Sequence, residues 1–287
     1  MLAPWKLTAF LPMAFAMLML CMGVIPGAAQ DASKRPPRST EAVEALERAE
    51  WQVLREGLRY VKTSTALGTY LSAFEISLDA FRLAVVASDQ PDGRTAKAAA
   101  KADGVVLAVN GGFFSVRDGK LKPVGMISVG GVRQGSAWTA DGGYLVTSQS
   151  PRIVPSGAGV PTDAPDFIQS KPVLIEPGGV WAMNTNQSLL EHRTAVCLKP
   201  GGKAVLLTVS GGGLSLFETG WLLRNREWGG FFDCDSAIAL DGGGSTQLHV
   251  PGHPELDVEG QTKVQNFLTV MERVANDGTG EGTATIQ

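Results

Sequence analysis

One short segment combines a carboxylate, three glycines and two hydroxyls. Residues 239–247 read ALDGGGSTQ. The apolar run before Asp241 predicts a buried strand with the acid at its end. Consecutive glycines allow a sharp turn whose N–H groups can point into one concavity and bind an anion. The pattern lacks both the lysine of a P-loop and the spacing of a dinucleotide fingerprint. Asp241 is therefore a candidate catalytic carboxylate, and the candidate anion-binding turn consists of Gly242, Gly243, Gly244, Ser245 and Thr246.

A second segment, VNGGFF at residues 109–114, has two interpretations. Asn-Gly between apolar residues is a hairpin turn signal. The same turn would also present an amide, and an aromatic ring offers an apolar face to a sugar. Both interpretations stay open, and the candidate substrate-binding residues here are Asn110, Gly111, Gly112 and Phe113.

Arg193 and Thr194 begin a predicted strand and are candidate substrate-binding residues. The planar guanidinium of arginine matches a phosphate with two parallel hydrogen bonds. The alternative is an ordinary solvated arginine. Ser210 and Gly211 begin another glycine-rich passage, SGGGLS, which predicts a second anion-binding turn at a helix N-terminus.

Glu218 is the candidate second catalytic carboxylate. It also lies three residues after Ser215, which is the spacing of a capping box and gives Glu218 a structural alternative. Asp233 and Asp235 precede the strand that leads to Asp241 and are further candidates, with a loop position as their alternative.

Residues 1–29 have the composition of an export signal. Lys6 is the only charged residue before Asp31, residues 7–24 are almost entirely apolar, and small residues precede Gln30. This pattern predicts a secretory signal peptide, with an uncleaved membrane anchor as the alternative. We expect a linker and an N-terminal helix at 30–50, the main domain at 51–275 and a mobile tail at 276–287. The protein is expected to be exported, to the periplasm or the extracellular space.

The charge balance argues against nucleic-acid binding. Without residues 1–29 the chain keeps 24 basic and 28 acidic residues, a net charge of −4, whereas nucleic acids require a basic face. Membrane contact is expected only if the N-terminal segment stays uncleaved. Cys197 and Cys234 could pair in an oxidising compartment or remain free thiols. The three histidines are dispersed, so a histidine-rich zinc site is not expected.

Short apolar runs bounded by Gly, Pro, Asp and Ser predict many strands after Leu58. Three helices are predicted: from a Thr40 cap to about Gly57, near 95–102, and from Ser215 to about Arg226. We therefore predict an α+β fold, a single sheet-dominated globular domain with a mixed β-sheet core and a few helices. The predicted strands lie at 81–87, 105–109, 126–129, 144–147, 173–175, 194–198, 204–209, 238–240 and 267–271.

Five motifs follow one another along the chain: NGGFF at 110–114, QSKPVL at 169–174, RTA at 193–195, GLSLFE at 213–218 and ALDGGGS at 239–245. With these motifs the chain resembles the phosphodiester glycosidase family over roughly residues 51–270. Where that family often has glycine this chain has Lys171, and where it often has arginine this chain has Lys263.

The resemblance implies a secreted hydrolase that cleaves a sugar-1-phosphodiester, with N-acetylglucosamine as a candidate sugar. A phosphate leaves as an anion with little proton help, so the reaction needs a base or nucleophile and donors that hold the phosphate. Asp241 fits the first role. No cofactor is certain, and a divalent cation held by Asp241 stays open. The alternative function is a non-catalytic module that binds anionic glycans or assists exopolysaccharide export. The expected partner is a small-molecule or glycan phosphodiester.

Overall fold

The computed structural model describes residues 36–273 except 149, 185, 187 and 188, and strands dominate this part of the chain. The helices are α1 (Pro37–Arg48), α2 (Ala96–Ala99) and α3 (Leu216–Leu223). The strands are β1 (Gln52–Arg55), β2 (Leu58–Ser64), β3 (Thr69–Ser77), β4 (Phe81–Ala87), β5 (Val105–Asn110), β6 (Phe114–Arg117), β7 (Lys120–Pro123), β8 (Ile127–Val129), β9 (Val132–Gln134), β10 (Gly143–Val146), β11 (Arg152–Pro155), β12 (Phe167–Ser170), β13 (Val173–Glu176), β14 (Val180–Trp181), β15 (Glu191–Lys199), β16 (Lys203–Leu214), β17 (Ser236–Ala239), β18 (Leu248–His249) and β19 (Asn266–Glu272).

The strands form four sheets. The largest has eight strands in the order β1-β2-β3-β16-β15-β17-β13-β14. The others have the orders β11-β10-β12-β8-β9, β18-β5-β19-β4 and β6-β7. This arrangement confirms a mostly-β α+β fold. Each of the named strand pairs in the described chain is antiparallel, so the predicted mixed sheet is wrong. Parallel pairing needs long crossovers, whereas short turns join many of these strands.

The large sheet is buried on both faces. Along β3, Leu71 and Ala73 point to one face, where they pack in a cluster with Leu46 of α1. Phe74 and Ile76 point to the other face, into a cluster that includes apolar residues of β5 and β19. Successive residues of a strand point to opposite faces. Helices α1 and α3 therefore cover one face, and the four-stranded sheet packs against the other. Helix α2 packs on the four-stranded sheet.

The predicted helices differ from the observed ones mainly in length. Helix α1 begins after Pro36 instead of after a Thr40 cap, and it ends at Arg48 because the chain then turns into the β1–β2 hairpin. Proline at the first helical positions suits a helix start. Helix α2 is a single turn capped by Thr95. Helix α3 begins after Ser215 as predicted and ends three residues short of Arg226.

Cys197 and Cys234 form a disulfide with Cα atoms 5.6 Å apart. Cys197 lies in β15, and Cys234 comes just before β17, the neighbour of β15 in the sheet. The two cysteines are therefore paired, and the alternative of two free thiols is wrong.

The predicted signal peptide at 1–29 and tail at 276–287 lie outside the described residues, and the domain boundaries stay predictions. Within the described residues, we find no helix with the length and hydropathy needed to span a membrane.

Candidate functional site

The predicted motifs converge where the four-stranded sheet meets the eight-stranded sheet. Asn110 is the last residue of β5, and Asp241 follows β17 by two residues. The Asp241 N–H donates to the carbonyl of Gly111 at 3.0 Å, and the Leu240 N–H donates to the carbonyl of Thr194 at 2.8 Å. Three segments that are far apart in the sequence thus meet around one acid.

Asn110 is fully buried, and its side chain binds protein groups only. Its Nδ2 donates to the carbonyl of Asp241 at 2.7 Å and lies 3.4 Å from the carbonyl of Gly111. Its Oδ1 accepts from the Thr194 hydroxyl at 2.7 Å and from the Gln247 N–H at 3.2 Å. The amide therefore joins the three segments, and Thr194, also buried, is engaged with it.

Gly111 and Gly112 lie where a side chain would collide with neighbouring residues. A Cβ on Gly111 would lie 2.0 Å from the Oδ1 of Asn266, and one on Gly112 would lie 2.8 Å from Ile168. The Gly112 N–H donates to Asn266 Oδ1 at 2.7 Å. Close packing of the backbone explains both glycines.

The turn after Asp241 leaves two neighbouring N–H groups free. The Gly242 N–H donates to Asp241 Oδ1 at 2.9 Å, and Gly243 has a left-handed φ of 58° at the start of a 3₁₀ turn, Gly243–Ser245. Among the described residues, the N–H groups of Gly243 and Gly244 have no hydrogen-bond acceptor. These two donors can bind an anion.

The end of the turn is tightly held. The Thr246 N–H donates to the Gly243 carbonyl at 3.2 Å, while its buried hydroxyl has no partner within the described residues. The Gln247 side chain accepts from Ala96 N–H at 2.6 Å and donates to the Thr262 carbonyl at 3.1 Å. These bonds fix the loop that carries the glycines.

Burial raises the pKa of the Asp241 carboxyl, and hydrogen bonds from the Ser245 side chain and the Gly242 N–H offset part of this effect. A carboxyl whose pKa is raised toward neutrality is better suited to exchange a proton during a reaction. The Asp241 carboxyl therefore holds its proton more tightly than an exposed aspartate does.

Arg193 lies beside the glycine turn. A Cβ on Gly242 would be 3.6 Å from its Nη1 atom. Its Nε donates to the Leu214 carbonyl at 2.9 Å, and Nη2 donates to the Leu189 carbonyl. Burial lowers the pKa of the guanidinium, while the charge of Glu191 raises it. Two carbonyls therefore orient the cation next to Gly242, the first glycine of the turn.

Glu191 is a carboxylate at this site that the sequence analysis missed. A Cβ on Gly243 would lie 3.6 Å from its Oε2 atom, and the residue is exposed. Side chains two residues apart on a strand point to the same face. This spacing, between Glu191 and Arg193, was the available signal that both lie on one face. A single glutamate at the start of a strand gives no other indication of a site.

The other candidate acids have different surroundings. Glu218 is buried, and its Oε2 accepts the N–H of Ser215 at 2.8 Å as part of a complete capping box. Asp233 accepts the N–H of Arg226 at 2.8 Å. Asp235 lies at the opposite end of β17 from Asp241, about 20 Å away for six extended residues.

Ser210 and Gly211 lie within β16, so the predicted turn at a helix N-terminus is wrong. A bulge separates Val209 from Leu214 opposite β15. The N–H of the next glycine donates to the Gly68 carbonyl at 2.9 Å, and a Cβ on Gly211 would lie 2.6 Å from the ring of Tyr70. The glycines allow β16 to bulge against the segment that contains Gly68.

Phe113 lines an open pocket of about 640 Å³ next to this site. Lys171, Pro172 and Leu216 also line it, and the Pro172 carbonyl accepts the N–H of Ala239 at 3.0 Å. Asp241 is absent from the lining. The pocket is therefore a neighbour of the acid and has an aromatic ring at its edge.

Two residues that depart from the family pattern have their own contacts. The Lys171 ammonium lies 5.5 Å from the centre of the Trp138 ring, and the exposed Lys263 pairs with Asp92. Within the described residues, no group of three or more His, Cys, Asp or Glu side chains is arranged to hold a metal ion.

The family model for phosphodiester glycosidases matches residues 103–276, more than half of the chain. The chain therefore belongs to the phosphodiester glycosidase family, which confirms the resemblance.

Two solved structures have a similar fold. The zebrafish N-acetylglucosamine-1-phosphodiester alpha-N-acetylglucosaminidase catalytic domain, auto-inhibited by its pro-peptide, matches with 18% identity and a TM-score of 0.55, over 78% of this chain and 84% of that one. A hypothetical protein from Synechocystis matches with 16% identity and a TM-score of 0.55, over 78% of this chain. The alignment spans 64% of the Synechocystis chain. No curated protein sequence matches this chain significantly.

Proposed function

We propose that this protein is an exported hydrolase that cleaves a sugar-1-phosphodiester. The observation that carries the proposal is the surroundings of Asp241. Its carboxyl has a raised pKa and is followed by two free glycine N–H groups, with the Arg193 guanidinium beside the same turn. A proton-exchanging acid next to anion donors is what this hydrolysis needs.

In the proposed reaction, water attacks the anomeric carbon and gives a proton to Asp241. The bond between that carbon and the phosphate oxygen breaks, and the oxygen keeps the electron pair. The phosphomonoester leaves as an anion, held by Arg193 and the N–H groups of Gly243 and Gly244. Asp241 could instead attack the carbon itself, with water releasing the sugar in a second step. The first route inverts the anomeric configuration, and the second retains it.

Hydrolysis of an aryl phosphodiester of N-acetylglucosamine-1-phosphate tests the proposal. We expect turnover by the wild-type protein and a loss of about 10²- to 10⁴-fold in Asp241→Asn. The matched control is Asp118→Asn, an exposed aspartate in the β6–β7 turn, where asparagine tolerates the same left-handed φ. Equal turnover by folded Asp241→Asn and wild type would remove Asp241 from the mechanism.

The sugar is a separate question, since family membership does not determine a substrate. The zebrafish enzyme carries N-acetylglucosamine in its name, and we propose it as the first sugar to test. A matched series of glucose, galactose and N-acetylglucosamine phosphodiesters would show the preference as a ratio of kcat/KM values. A preference for another sugar would replace N-acetylglucosamine and leave the reaction class intact.

A non-catalytic glycan-binding module is the second candidate. The observation that favours it is the scarcity of carboxylates, because many glycosidases use a pair. Glu218 caps a helix, and Glu191 is exposed. Saturable binding of a phosphoglycan without product after long incubation, for both wild type and Asp241→Asn, would favour this function over hydrolysis.

Export is proposed from the N-terminal sequence and supported by the disulfide. Disulfides persist in oxidising compartments and are rare in the cytosol, and Cys197 and Cys234 are bonded. Fractionation of cells that express the full chain would test export. Recovery of a protein lacking residues 1–29 outside the cytoplasm is expected, whereas a membrane-bound full-length protein would indicate an anchor.

A further inference from the structure

Three cations surround one buried carboxylate far from Asp241. The side chain of Glu75 is 7% exposed. Its oxygens lie 2.7 Å from Arg59 Nη2, 2.9 Å from Lys199 Nζ and 3.5 Å from Lys203 Nζ. Burial raises the pKa of Glu75, but the Lys199 hydrogen bond and the three cations outweigh burial and lower the pKa. Glu75 is therefore ionised near neutral pH, and the cluster has two positive charges in excess.

The register of the large sheet creates this cluster. Arg59 of β2 lies opposite Glu75 of β3, and Lys203 of β16 lies opposite Ser77. Lys199 of β15 lies opposite Lys203. Residues two apart on a strand share a face, so four neighbouring strands direct these charges to one place.

A pocket of about 310 Å³ opens beside the cluster. Its lining includes Arg55, Arg59, Glu75 and Lys203. The side chains of Arg59 and Lys203 are 47% and 49% exposed, so both can reach a ligand. Arg55 pairs with Glu272 at 2.7 Å, an acid outside the cluster, whereas Arg59 and Lys203 both face Glu75.

The Arg59 guanidinium is oriented before any ligand binds. Its Nε atom donates to Glu75 Oε1 at 3.0 Å, and its Nη2 atom forms an ion pair with the same oxygen at 2.7 Å. Its Cζ atom lies 4.8 Å from the centre of the Trp51 ring. Another acid, Asp79, has Oδ1 3.9 Å from where a Gly202 Cβ would be. In the described chain, Asp79 forms no ion pair with Lys203.

We infer that this pocket is a second anion-binding site, which takes a phosphate group. An oriented guanidinium and an ammonium beside it match phosphate geometry and charge. The whole chain has a net charge of −3, so the cations here are a local concentration. Lys199 and Arg193 are six residues apart on β15, which puts the site about 20 Å from the Asp241 site. The inference does not depend on the proposed hydrolysis.

The phosphate could be free phosphate or one group of a phosphodiester polymer. A polymer with repeated phosphates could place one group here while another reaches Asp241. A free phosphomonoester or inorganic phosphate would use this site alone. Both ligands present the same phosphate chemistry. They differ because the affinity of a polymer increases with its number of repeats, whereas free phosphate has none.

Amide chemical shifts measured by NMR on the Asp241→Asn protein, which removes turnover, test the inference. Inorganic phosphate is titrated first, then poly(glycerol phosphate). We expect shifts at Gly57 and Ser77, which line the pocket. We also expect the double variant Arg59→Gln with Lys203→Gln to weaken binding about tenfold, equivalent to about 1.4 kcal/mol.

Lys101→Gln is the matched control, an exposed lysine next to α2, and should bind phosphate as wild type does. Absence of shifts at Gly57 and Ser77, or an unchanged affinity in the folded double variant, would overturn the inference. Tighter binding of the polymer than of inorganic phosphate identifies a polymeric source, and equal affinity identifies a free one. Loss of the proposed hydrolysis would not affect either result.

Discussion

The side-chain amide of Asn110 donates a 2.7 Å hydrogen bond to the backbone carbonyl of Asp241. This bond connects the end of β5 to the residue after β17, so it joins two sheets at the candidate site. Because Asn110 is completely buried, its contribution is to hold the acid in place. The geometry therefore favours a positioning residue over the predicted contact with substrate.

Replacing Asn110 by alanine should reduce kcat more than it changes KM. The change leaves buried partners without hydrogen bonds, at about 1–3 kcal/mol each, and frees the backbone of Asp241. A displacement of about 1 Å at a catalytic group can cost about 10²-fold in rate. Steady-state kinetics on the phosphodiester would measure this, with Asn225→Ala as a control beside Gly179, near the end of β17 away from Asp241. A rise in KM alone would indicate that Asn110 contacts substrate.

Asp241→Asn should be more stable than wild type at neutral pH, although it is expected to be inactive. The pKa of the folded Asp241 carboxyl is raised mainly by burial. The wild type therefore loses stability as the pH rises through this folded pKa, because ionisation is harder in the folded state than in the unfolded state. Asparagine carries no such charge.

Thermal unfolding as a function of pH measures this effect. The difference in Tm between Asp241→Asn and wild type should be present at pH 7 and shrink under acidic conditions. A lower Tm for the variant at pH 7 would contradict the assigned cause of the pKa shift.

Gly111→Ala should fail to fold or unfold at a much lower temperature. The new Cβ would lie 2.0 Å from Asn266 Oδ1 and 3.0 Å from the backbone carbon of Asn266. The first distance is shorter than real Cβ contacts and the second is tighter than most, and overpacking typically costs about 1–3 kcal/mol. Gly157→Ala is the matched control, because a Cβ there meets nothing within 4 Å. Equal Tm values for the two variants would show that the β5 turn relaxes easily.

Removing the disulfide should destabilise the protein by about 4 kcal/mol on the loop-entropy model. The bond closes a segment with a sequence separation of 37 between Cys197 and Cys234. Urea unfolding of the double serine variant, beside wild type with and without reductant, would give the change. An unchanged free energy of unfolding would mean that packing of β15 on β17 already restrains this segment.

Local patterns predicted several elements well. The run 81–87 coincides with β4, and Ser215 and Glu218 form the capping box expected from their spacing. Both features depend on neighbours in the sequence. The helix predicted to about Gly57 ended earlier, because β1 and β2 pair as a hairpin. Val53 is exposed on β1, so its apolar side chain did not indicate a buried face.

Side-chain roles at the candidate site depended on long-range contacts. Glu191 had no motif of its own, yet the bulge in β16 and the turn after Asp241 bring Gly243 close to its carboxylate. The cluster around Glu75 likewise required the order of β2, β3, β16 and β15. Strand register across four strands does not follow from any one of them.

The amino-acid sequence alone determined the family, the acid at the end of a strand and the glycine turn beyond it, because those features are encoded in consecutive residues. Only the tertiary structure decided that Asn110 faces inward, that Glu218 caps a helix and that Arg193 lies beside Gly242. The physical reason is that burial and hydrogen-bond partners are set by strands distant in sequence, and these determine whether a polar group is available to a ligand.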